Sequence, residues 1–552
     1  MRPRRRCARA SGSSCSTPKS ADSLSARIWC MNAALGGCTG RGGMADARTR
    51  SIRSHAPSSR TRARQAWRAA FHLIEHRPEA SARSRLSPPA ALIAGPGLFA
   101  LGATLLAPGV MLIAAGALGG AVFAAVSLLR LAAALAPPRY DARRPLSDEA
   151  LPAVSVIAAL HREAEVVGDL CAHLAATDYP ADRLEILLAI EADDAETLAA
   201  AHAAAARCGA RVIEIAAVGP RTKPKALNVA LAEARGELVA VYDAEDAPAP
   251  DQLRAAAEAF AADARLGCMQ APLGWYNRGE TWLTGQFALE YAAHFHALLP
   301  LCRRLGWPLP LGGTSNVFRR SALEACGAWD PFNVTEDADL GFRLARDGWR
   351  CGLIEPGTLE EAPVARAAWT AQRSRWLKGH LATWLVQMRD PRGLAAAAGP
   401  GGVLALQLTL GANVLSAMIH APATLGVLLG AGAWAAGLVS GWPVAVAAAG
   451  LATGYACAMA AAASGARRAG FTPRPRAVAA MPAYWLLQWP AMLRALRELA
   501  AAPYVWAKTR HGVSRVAREP VNEPDRHRDP DDRRTGSVRA GGVARRPARR
   551  PA

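Results

Sequence analysis

Three short clusters of acidic residues and one Arg-Trp pair supply most of the reactive side chains in the middle of this chain. The clusters are Asp193-Asp194, Asp243-Ala244-Glu245-Asp246 and Thr335-Glu336-Asp337, and they are followed by Gln372-Arg-Ser-Arg375-Trp376. Carboxylates can hold a divalent cation or accept a proton. A guanidinium can pair with a phosphate, and an indole ring can stack on a sugar. These residue types indicate a site for a ligand that carries both phosphate and hydroxyl groups.

The second acidic cluster has the spacing of a metal site. Asp243 and Glu245 follow the apolar run Leu238–Tyr242, which predicts a buried strand, and two carboxylates at a strand end can face one hard cation. We therefore expect Mg²⁺ or Mn²⁺ there, although Asp246 could replace Glu245 as the ligand. The alternative is that these acids only begin the helix predicted over Pro250–Ala262, where the helix dipole favours negative charge.

Two further groups could contact a nucleotide. Asp193 and Asp194 follow the strand predicted over Leu184–Ala192, where a carboxylate could accept from a base N–H or a ribose hydroxyl. An N-cap of the next helix explains them equally well. Lys223 and Lys225 lie near the start of a predicted helix and could contact phosphate, or they could be surface lysines.

The last cluster and the Arg-Trp pair have the same kind of ambiguity. Asp337 could act as a general base if it faces a cleft, but a helix capped by Thr335 accounts for the pattern as well. Arg375 and Trp376 lie in Ala367–Met388, whose tryptophans and basic residues are typical of a helix in the plane of lipid headgroups. In that interpretation the pair is an interfacial anchor.

The elements around these residues alternate between strand and helix. Short β-type runs are separated by alanine-rich helical stretches through residues 152–366. This alternation predicts a mostly parallel sheet covered on both faces, with ligands at the carboxyl ends of the strands. The first two acidic clusters lie at such ends.

Long uncharged segments flank the alternating region. Residues 86–129 and 393–465 contain no charged residue. The first is long enough for two membrane helices with a turn at Pro108, and the second for two, or for three with one re-entrant. Residues 477–493 could form a span or an interfacial helix. Arginines after the first pair place the region between the segments in the cytoplasm, at the inner (plasma) membrane.

The charge distribution argues against a nucleic-acid partner. The formal charge is +20, but residues 1–85 hold 18 basic and 4 acidic residues and residues 508–552 hold 13 and 6, which leaves −1 for residues 86–507. Basic ends beside membrane spans fit anionic lipid better than DNA. We expect a disordered leader over residues 1–85, dispensable or preceding the true start at a methionine such as Met44. The 11 cysteines contain no C-x-x-C pair and predict neither a disulfide framework nor a zinc site.

In this order and on this membrane frame, the motifs Asp243-Ala-Glu245, Thr335-Glu-Asp337 and Gln372-x-x-Arg375-Trp376 resemble those of processive family-2 glycosyltransferases, the cellulose-synthase-like group. The resemblance covers residues 90–512, approximately. It implies an α/β GT-A (Rossmann-like) cytoplasmic domain inserted between transmembrane helices. Glu245 departs from the usual D-x-D, and no cyclic-dinucleotide domain is recognisable.

The resemblance also implies roles for individual residues. The donor would contact Glu163, Asp193, Asp194, Lys225 and Asp243, with Asp193 or Asp194 on the uridine and Lys225 near the diphosphate. Mg²⁺ or Mn²⁺ would be held by Asp243 and Glu245, and Asp337 would be the catalytic base. The acceptor side would include Thr335, Glu336, Gln372, Arg375, Trp376 and the loop Leu311-Gly-Gly-Thr-Ser315.

The function implied is that of an inverting hexosyltransferase that transfers a sugar from a UDP-sugar to a polysaccharide at a lipid membrane. Two alternatives stay open: a non-processive enzyme acting on a lipid, and a non-catalytic transporter or sensor with a degenerate nucleotide-sugar domain. The expected organisation is a leader (1–85), a transmembrane pair (86–130), a GT-A domain (152–366), an interfacial helix (367–392), a transmembrane region (393–507) and a disordered basic tail (508–552).

Overall fold

Apolar runs in the middle of the chain form a mixed seven-stranded sheet in the computed structural model of the protein. The structure describes residues 58–84, 107–506 and 512–516. The strands are β1 (Val154–Leu160), β2 (Leu184–Glu191), β3 (Arg211–Ile215), β4 (Leu238–Tyr242), β5 (Ala247–Pro248), β6 (Leu266–Gln270), β7 (Leu273–Trp275), β8 (Asn316–Arg319), β9 (Arg350–Leu353) and β10 (Thr358–Glu360).

The main sheet has the order β3-β2-β1-β4-β8-β6-β9, and β5-β10-β7 form a small second sheet. Strands β3, β2, β1 and β4 run parallel, whereas β8 is antiparallel to both β4 and β6. The prediction of strand-helix alternation is confirmed, and the antiparallel β8 makes the sheet mixed. Because β1 to β4 are parallel, their carboxyl ends meet at one edge of the sheet.

Helices cover the sheet and extend beyond it. They are α1 (Ser59–His76), α2 (Pro108–Leu135), α3 (Val167–Ala175), α4 (Ala195–Cys208), α5 (Lys223–Glu233), α6 (Gln252–Ala262), α7 (Trp282–Ala293), α8 (Leu299–Leu305), α9 (Arg320–Ala325), α10 (Glu336–Arg346), α11 (Arg366–Gln387), α12 (Pro391–Leu406), α13 (Ala412–Ala435), α14 (Gly441–Arg468), α15 (Pro475–Ala479), α16 (Met481–Leu486) and α17 (Gln488–Ala501).

Both faces of the main sheet are buried. Val156 and Leu188 belong to an apolar cluster on one face, and their chain neighbours Ile157 and Leu187 belong to the cluster on the other. Near-continuous apolar strands are typical of sheets covered on both sides. Each fully buried aliphatic side chain of this kind contributes about 1.5–3 kcal/mol, so the sheet is a rigid base for the residues at its edge.

The predicted disordered leader differs from the structure over residues 58–84. Helix α1 buries Ala66, Ala70, Phe71 and Leu73 against the domain. The segment is rich in arginine, but as a helix it has one apolar face. Burial of that face against the domain stabilises the helix, whereas a disordered segment has no such apolar surface to bury. Residues 1–57 and residue 85 lie outside the described residues.

Three helical segments in the described residues are long and apolar enough to cross a membrane: Gly109–Leu135, Pro391–Ala435 and Gly441–Arg468. The first predicted span, within residues 86–106, lies outside the described residues. Residues 393–465 form two long segments, and the first is kinked at Gly399 (φ 69°) and Pro400. Residues 477–493 fall into the short helices α15, α16 and α17. Of the predicted tail, only residues 512–516 are described.

Candidate active site

The carboxyl ends of β1, β4 and β10 line a cavity of about 450 Å³ together with the start of α10 and part of α11. Among the predicted site residues, Glu163, Asp243, Glu245, Thr335, Glu336, Asp337, Gln372, Arg375 and Trp376 line this cavity. The loop residues 311–314 also belong to its wall. Side chains separated by more than 200 positions in the sequence are thus brought to one place.

Asp243 is held at the cavity wall by a lysine. Lys223, at the first position of α5, forms an ion pair with Asp243 and donates a hydrogen bond to the Gly313 carbonyl at 2.7 Å. Pro224 fixes the backbone at the second position, where a proline suits a helix start. The Lys223 ammonium group therefore connects Asp243 to the 311–314 loop.

The two acids after Asp243 point in different directions. Glu245 lines the cavity, whereas Asp246 is fully buried and accepts hydrogen bonds from the Asp243 N–H at 2.7 Å and from the Thr314 hydroxyl. Asp246 therefore shapes the turn that presents Asp243. Burial and the charges of Asp243 and Glu245 raise the pKa of Asp246.

Sequence reasoning missed a fourth carboxylate. Glu360, the last residue of β10, lines the cavity, and its buried Oε1 has no hydrogen-bond partner among the described residues. Burial and the charges of Asp246, Glu245 and Asp243 raise the pKa of Glu360. Its position beside the acidic cluster depends on the pairing of β10 with β5 and β7, which no local motif signals.

These residues fit a divalent cation that is shared with a ligand. Among the described residues, no three His, Cys, Asp or Glu side chains form a preformed metal cluster. Magnesium-type sites in enzymes that handle nucleotides use one or two carboxylates plus ligand phosphates, and Asp243 and Glu245 can supply that number. The buried, partly unpartnered carboxylates around them make the region favourable for positive charge.

The structure separates the residues predicted to contact the nucleotide. Lys225 does not line the cavity, contrary to the prediction that it lies near the diphosphate. It is fully buried and paired with Glu191 at 2.6 Å, and Lys223 lines the cavity instead. Asp194 caps α4 by accepting from the Thr197 N–H, which matches the structural alternative. Asp193 pairs with Arg221 at 2.5 Å, and Arg221 lines the cavity.

Asp337 lies in the first turn of α10 and faces cations. Burial raises the pKa of Asp337 to about 6, although the Ala338 N–H, Lys223 and Arg375 act in the opposite direction. Burial and the charge of Asp337 raise the pKa of Glu336 as well. A carboxylate whose pKa lies near neutrality can accept a proton and later release it.

Arg375 and Trp376 come from α11. Arg375 is close enough to Glu336, Asp337 and Asp243 for their charges to oppose the lowering of its pKa by burial. Its guanidinium stacks on the Trp506 ring at 4.4 Å, a contact that the sequence did not suggest. The Trp376 ring stacks on Tyr291 with centroids 6.1 Å apart.

Two further residues of α11 have distinct environments. Gln372 lines the cavity, and its buried Oε1 has no hydrogen-bond partner among the described residues, so it can accept from a ligand hydroxyl. Arg373 pairs with both oxygens of Glu290, at 2.7 and 2.6 Å. Arg373 is thus a buried residue with a structural role, and it lies in the sequence between the cavity-lining residues Gln372 and Arg375.

Thr335 occupies the N-cap position of α10 without a side-chain cap. It packs against α11 at Gly379, where an added methyl group would overlap the Thr335 side chain. The glycine therefore allows α11 to approach the loop that carries Asp337. This contact fixes Arg375 and Trp376 relative to the carboxylate.

The cavity continues from these residues toward the apolar helices. Its inner wall is formed by side chains of α2, α13 and α14, including Arg130, His420 and Tyr455. The reactive carboxylates and the interior of the apolar helix bundle thus share one cavity. An amphiphilic ligand can reach both.

Residues 152–379 match the profile of the family described as glycosyltransferase like family 2. The beta-monoglucosyldiacylglycerol synthase of Nostoc sp. is 31% identical over 237 residues, which are 42% of this chain and 49% of that protein. The probable glucomannan 4-beta-mannosyltransferase 6 of Oryza sativa subsp. japonica is 27% identical and covers 36% of each chain. The chain thus spans about half the length, or less, of these curated relatives.

The mannosyltransferase PcManGT from Pyrobaculum calidifontis, in complex with GDP-Man and Mn²⁺, is 22% identical with a TM-score of 0.42, covering 69% of this chain and 98% of that chain. Taken with the sheet order and the acids at the strand ends, the family match leads to one conclusion. Residues 152–379 are a family 2 glycosyltransferase domain with a GT-A fold, flanked by helices long and apolar enough to span a membrane.

Proposed function

We propose that the protein is a membrane-bound inverting glycosyltransferase that transfers a hexose from a UDP-sugar to a hydroxyl group of an acceptor held in the membrane. One observation carries the proposal: a single cavity wall presents Asp243 and Glu245, the raised-pKa carboxylate Asp337, and Arg375. A nucleotide-sugar donor needs the first two, a hydroxyl nucleophile needs the third, and the leaving diphosphate needs a cation.

The proposed reaction is a single displacement. Asp337 takes the proton of the acceptor hydroxyl while that oxygen bonds to the anomeric carbon and the bond to the diphosphate oxygen breaks. Lys223 and Arg375 hold positive charge near the leaving diphosphate. Asp243 and Glu245 would hold Mg²⁺ or Mn²⁺, which when bound neutralises part of the diphosphate charge.

A lipid acceptor is favoured by the path of the cavity. The wall that holds Asp337 continues between α2, α13 and α14, and an acyl chain could lie there while its hydroxyl reaches the carboxylate. The relative from Nostoc sp. is a diacylglycerol-type synthase by its description, which supports the same class.

A polysaccharide acceptor is the second candidate, because the stacked Tyr291 and Trp376 rings form a platform for a sugar. The relative from Oryza sativa, a probable glucomannan mannosyltransferase, belongs to that class. Product length separates the two candidates. A lipid enzyme makes a product with one added sugar, and a polymerase makes a ladder.

The test is to place the full chain in nanodiscs with a panel of UDP-sugars, with Mg²⁺ or Mn²⁺, and to resolve products by mass. We expect one UDP-sugar to give a glycosylated lipid, and the Asp337→Asn variant to form that product far more slowly at comparable UDP affinity. Tight UDP-sugar binding with no turnover for any donor would instead support a non-catalytic sensor or transporter.

A further inference from the structure

The inner part of the cavity contains a charged side chain that the proposed reaction does not use. Arg130 belongs to α2, within the segment Gly109–Leu135 that is long and apolar enough to span a membrane, and it lines the cavity. It lies five residues before the end of the helix at Leu135, about 7.5 Å along the axis. A charge within such a segment is costly unless something compensates it.

No described residue compensates Arg130. Its side chain forms no hydrogen bond or ion pair within the described part of the chain. The carboxylate whose charge acts on the Arg130 guanidinium is that of Glu290. Glu290 is already occupied, because Arg373 binds both of its oxygens and the Tyr484 hydroxyl donates to it at 2.5 Å. The positive charge of Arg373 balances Glu290, so Arg130 leaves this part of the cavity with one excess positive charge.

The other polar groups of the inner wall are neutral. Burial lowers the pKa of His294 to about 4 and that of His380 to about 3, so both are uncharged at neutral pH. His380 is also hydrogen-bonded to Asn413 at 2.9 Å. His420 lines the cavity within electrostatic range of Arg130, and its buried Nε2 has no hydrogen-bond partner among the described residues.

The remaining inner wall is apolar. Phe123, Leu129, Leu451 and Trp485 line it alongside Arg130. A ligand that satisfies this surface needs a negative group for the guanidinium, an atom that hydrogen-bonds to the His420 Nε2, and a hydrocarbon chain. Lipid phosphates combine these three properties, whereas an uncharged diacylglycerol lacks the first.

We propose that the inner cavity binds the phosphate of an anionic lipid through Arg130 and His420, and that the acceptor of the proposed transferase is therefore a phosphate-bearing lipid. This inference rests on the proposed function, because the acceptor must reach Asp337 through the same cavity. Arginine suits the task, since its planar guanidinium matches two phosphate oxygens.

The test compares two lipids that differ only in the phosphate. The full chain is purified in a non-ionic detergent and mixed with phosphatidic acid or with diacylglycerol of the same acyl chains, and retained lipid is measured by native mass spectrometry. We expect retention of phosphatidic acid and not of diacylglycerol. Arg130→Gln should reduce the occupancy on the order of 10- to 100-fold, the effect of losing a charge-assisted hydrogen bond.

Two variants make the result specific. Arg130→Lys keeps the charge and should retain intermediate occupancy, which also guards against misfolding of the Gln variant. Arg139→Gln removes an exposed arginine outside the cavity and should leave occupancy unchanged. An added excess of inorganic phosphate should not displace the lipid, because the apolar wall binds the chain.

Several outcomes would overturn the inference. These are equal retention of the two lipids, unchanged retention by Arg130→Gln, or displacement by inorganic phosphate. The first two would mean that Arg130 only reaches toward the headgroup region, and the third that the site is for free phosphate. Sugar transfer to diacylglycerol, but not to phosphatidylglycerol, which carries free hydroxyl groups beside its phosphate, would remove this inference and leave the proposed function intact. Absence of transfer to any acceptor would remove the function while lipid binding stayed measurable.

Discussion

Asp337 is the residue on which the proposed chemistry depends most. Asp337→Asn removes the proton acceptor but keeps the size of the side chain, so the rate should fall on the order of 10²–10⁴-fold. UDP affinity should change little, because Asp337 is not among the proposed donor ligands. UDP release measured under saturating donor gives the rate. The neighbouring Glu336→Gln variant is the matched control and should lose much less, and equal losses would contradict the assignment.

The environment of Asp337 also sets a pH dependence. Burial raises the pKa of this carboxyl to about 6, and the base must be ionised to accept a proton. kcat/KM should therefore be constant above that pH and fall about tenfold per unit below it. The measurement is a pH profile of UDP release. If kcat/KM does not fall as the pH is lowered from about 7 to about 5, another group is the base.

The metal assignment separates Glu245 from Asp246. Activity should disappear in EDTA and return with Mg²⁺ or Mn²⁺, and Glu245→Gln should weaken metal-dependent UDP binding because Glu245 lines the cavity. Asp246→Ala should instead lower the free energy of unfolding by about 1–3 kcal/mol, since it leaves the Asp243 N–H without its acceptor and the Thr314 hydroxyl with only the Val241 carbonyl at 3.3 Å. Titration calorimetry with UDP and thermal unfolding separate the two effects. Equal UDP affinity of the wild type with and without chelator would contradict the metal role.

The two lysines illustrate what residue types and spacing could not decide. Lys223 and Lys225 are two positions apart near a helix start, and the motif is compatible with either one contacting a phosphate. The direction in which each lysine side chain points depends on where α5 packs on the sheet, because Glu191 at the end of β2 forms an ion pair with Lys225. The acids at the strand ends were predictable, since a strand end fixes their place. The partner of each lysine was not, because it comes from another part of the chain.

At the scale of elements, α1 and the segment that follows it support the loop before Asp337. Phe71 packs on Phe332 with ring centroids 5.6 Å apart, and Arg77 forms two hydrogen bonds with Asp347, at 2.7 and 3.1 Å. The Ala82 N–H donates to the buried Asp330 carboxylate at 2.6 Å. These contacts connect the chain before α2 to both ends of α10, since Asp330 and Phe332 precede that helix and Asp347 follows it.

Removal of residues 1–84 should therefore destabilise the domain, whereas removal of residues 1–57 keeps every contact described above. Burial of each large apolar side chain contributes about 1.5–3 kcal/mol, a substantial share of the roughly 5–15 kcal/mol that holds a typical domain folded. Thermal unfolding and sugar transfer should be near wild type for the shorter deletion and reduced for the longer one. Identical behaviour of the two would show that α1 is dispensable.

A point variant gives the same test without truncation. Phe71→Ala should cost about 3 kcal/mol, and Glu75→Ala, on the exposed face of α1, should cost nothing measurable. The apolar positions of α1 do recur with a helical period. Their signal is weak because arginine and alanine dominate the segment. The long strands were easier to predict, because burial on both faces leaves almost no polar residue in them.

At the scale of the whole molecule, the ends of α2 and α14 would define which side of the membrane faces the catalytic domain in the proposed membrane-bound protein. Arg468, the last residue of α14, donates to the carbonyls of Ala133, Ala134 and Ala136 at the end of α2, and to His296 next to α7. Both helices therefore end at the domain. In the proposed membrane-bound protein their starts, at Pro108 and Gly441, would lie on the far side of the membrane.

The loop between α13 and α14 should accordingly be exposed on the outer face of the membrane. Trp434 and Trp442 flank it with exposed fractions of 58% and 71%, as is common for aromatic residues at a membrane–water interface. An epitope inserted between Gly437 and Leu438 should bind antibody on intact cells. An epitope after Ala264, in an exposed loop of the catalytic domain, should bind only after permeabilisation. The reverse pattern would contradict the orientation inferred from the ends of α2 and α14.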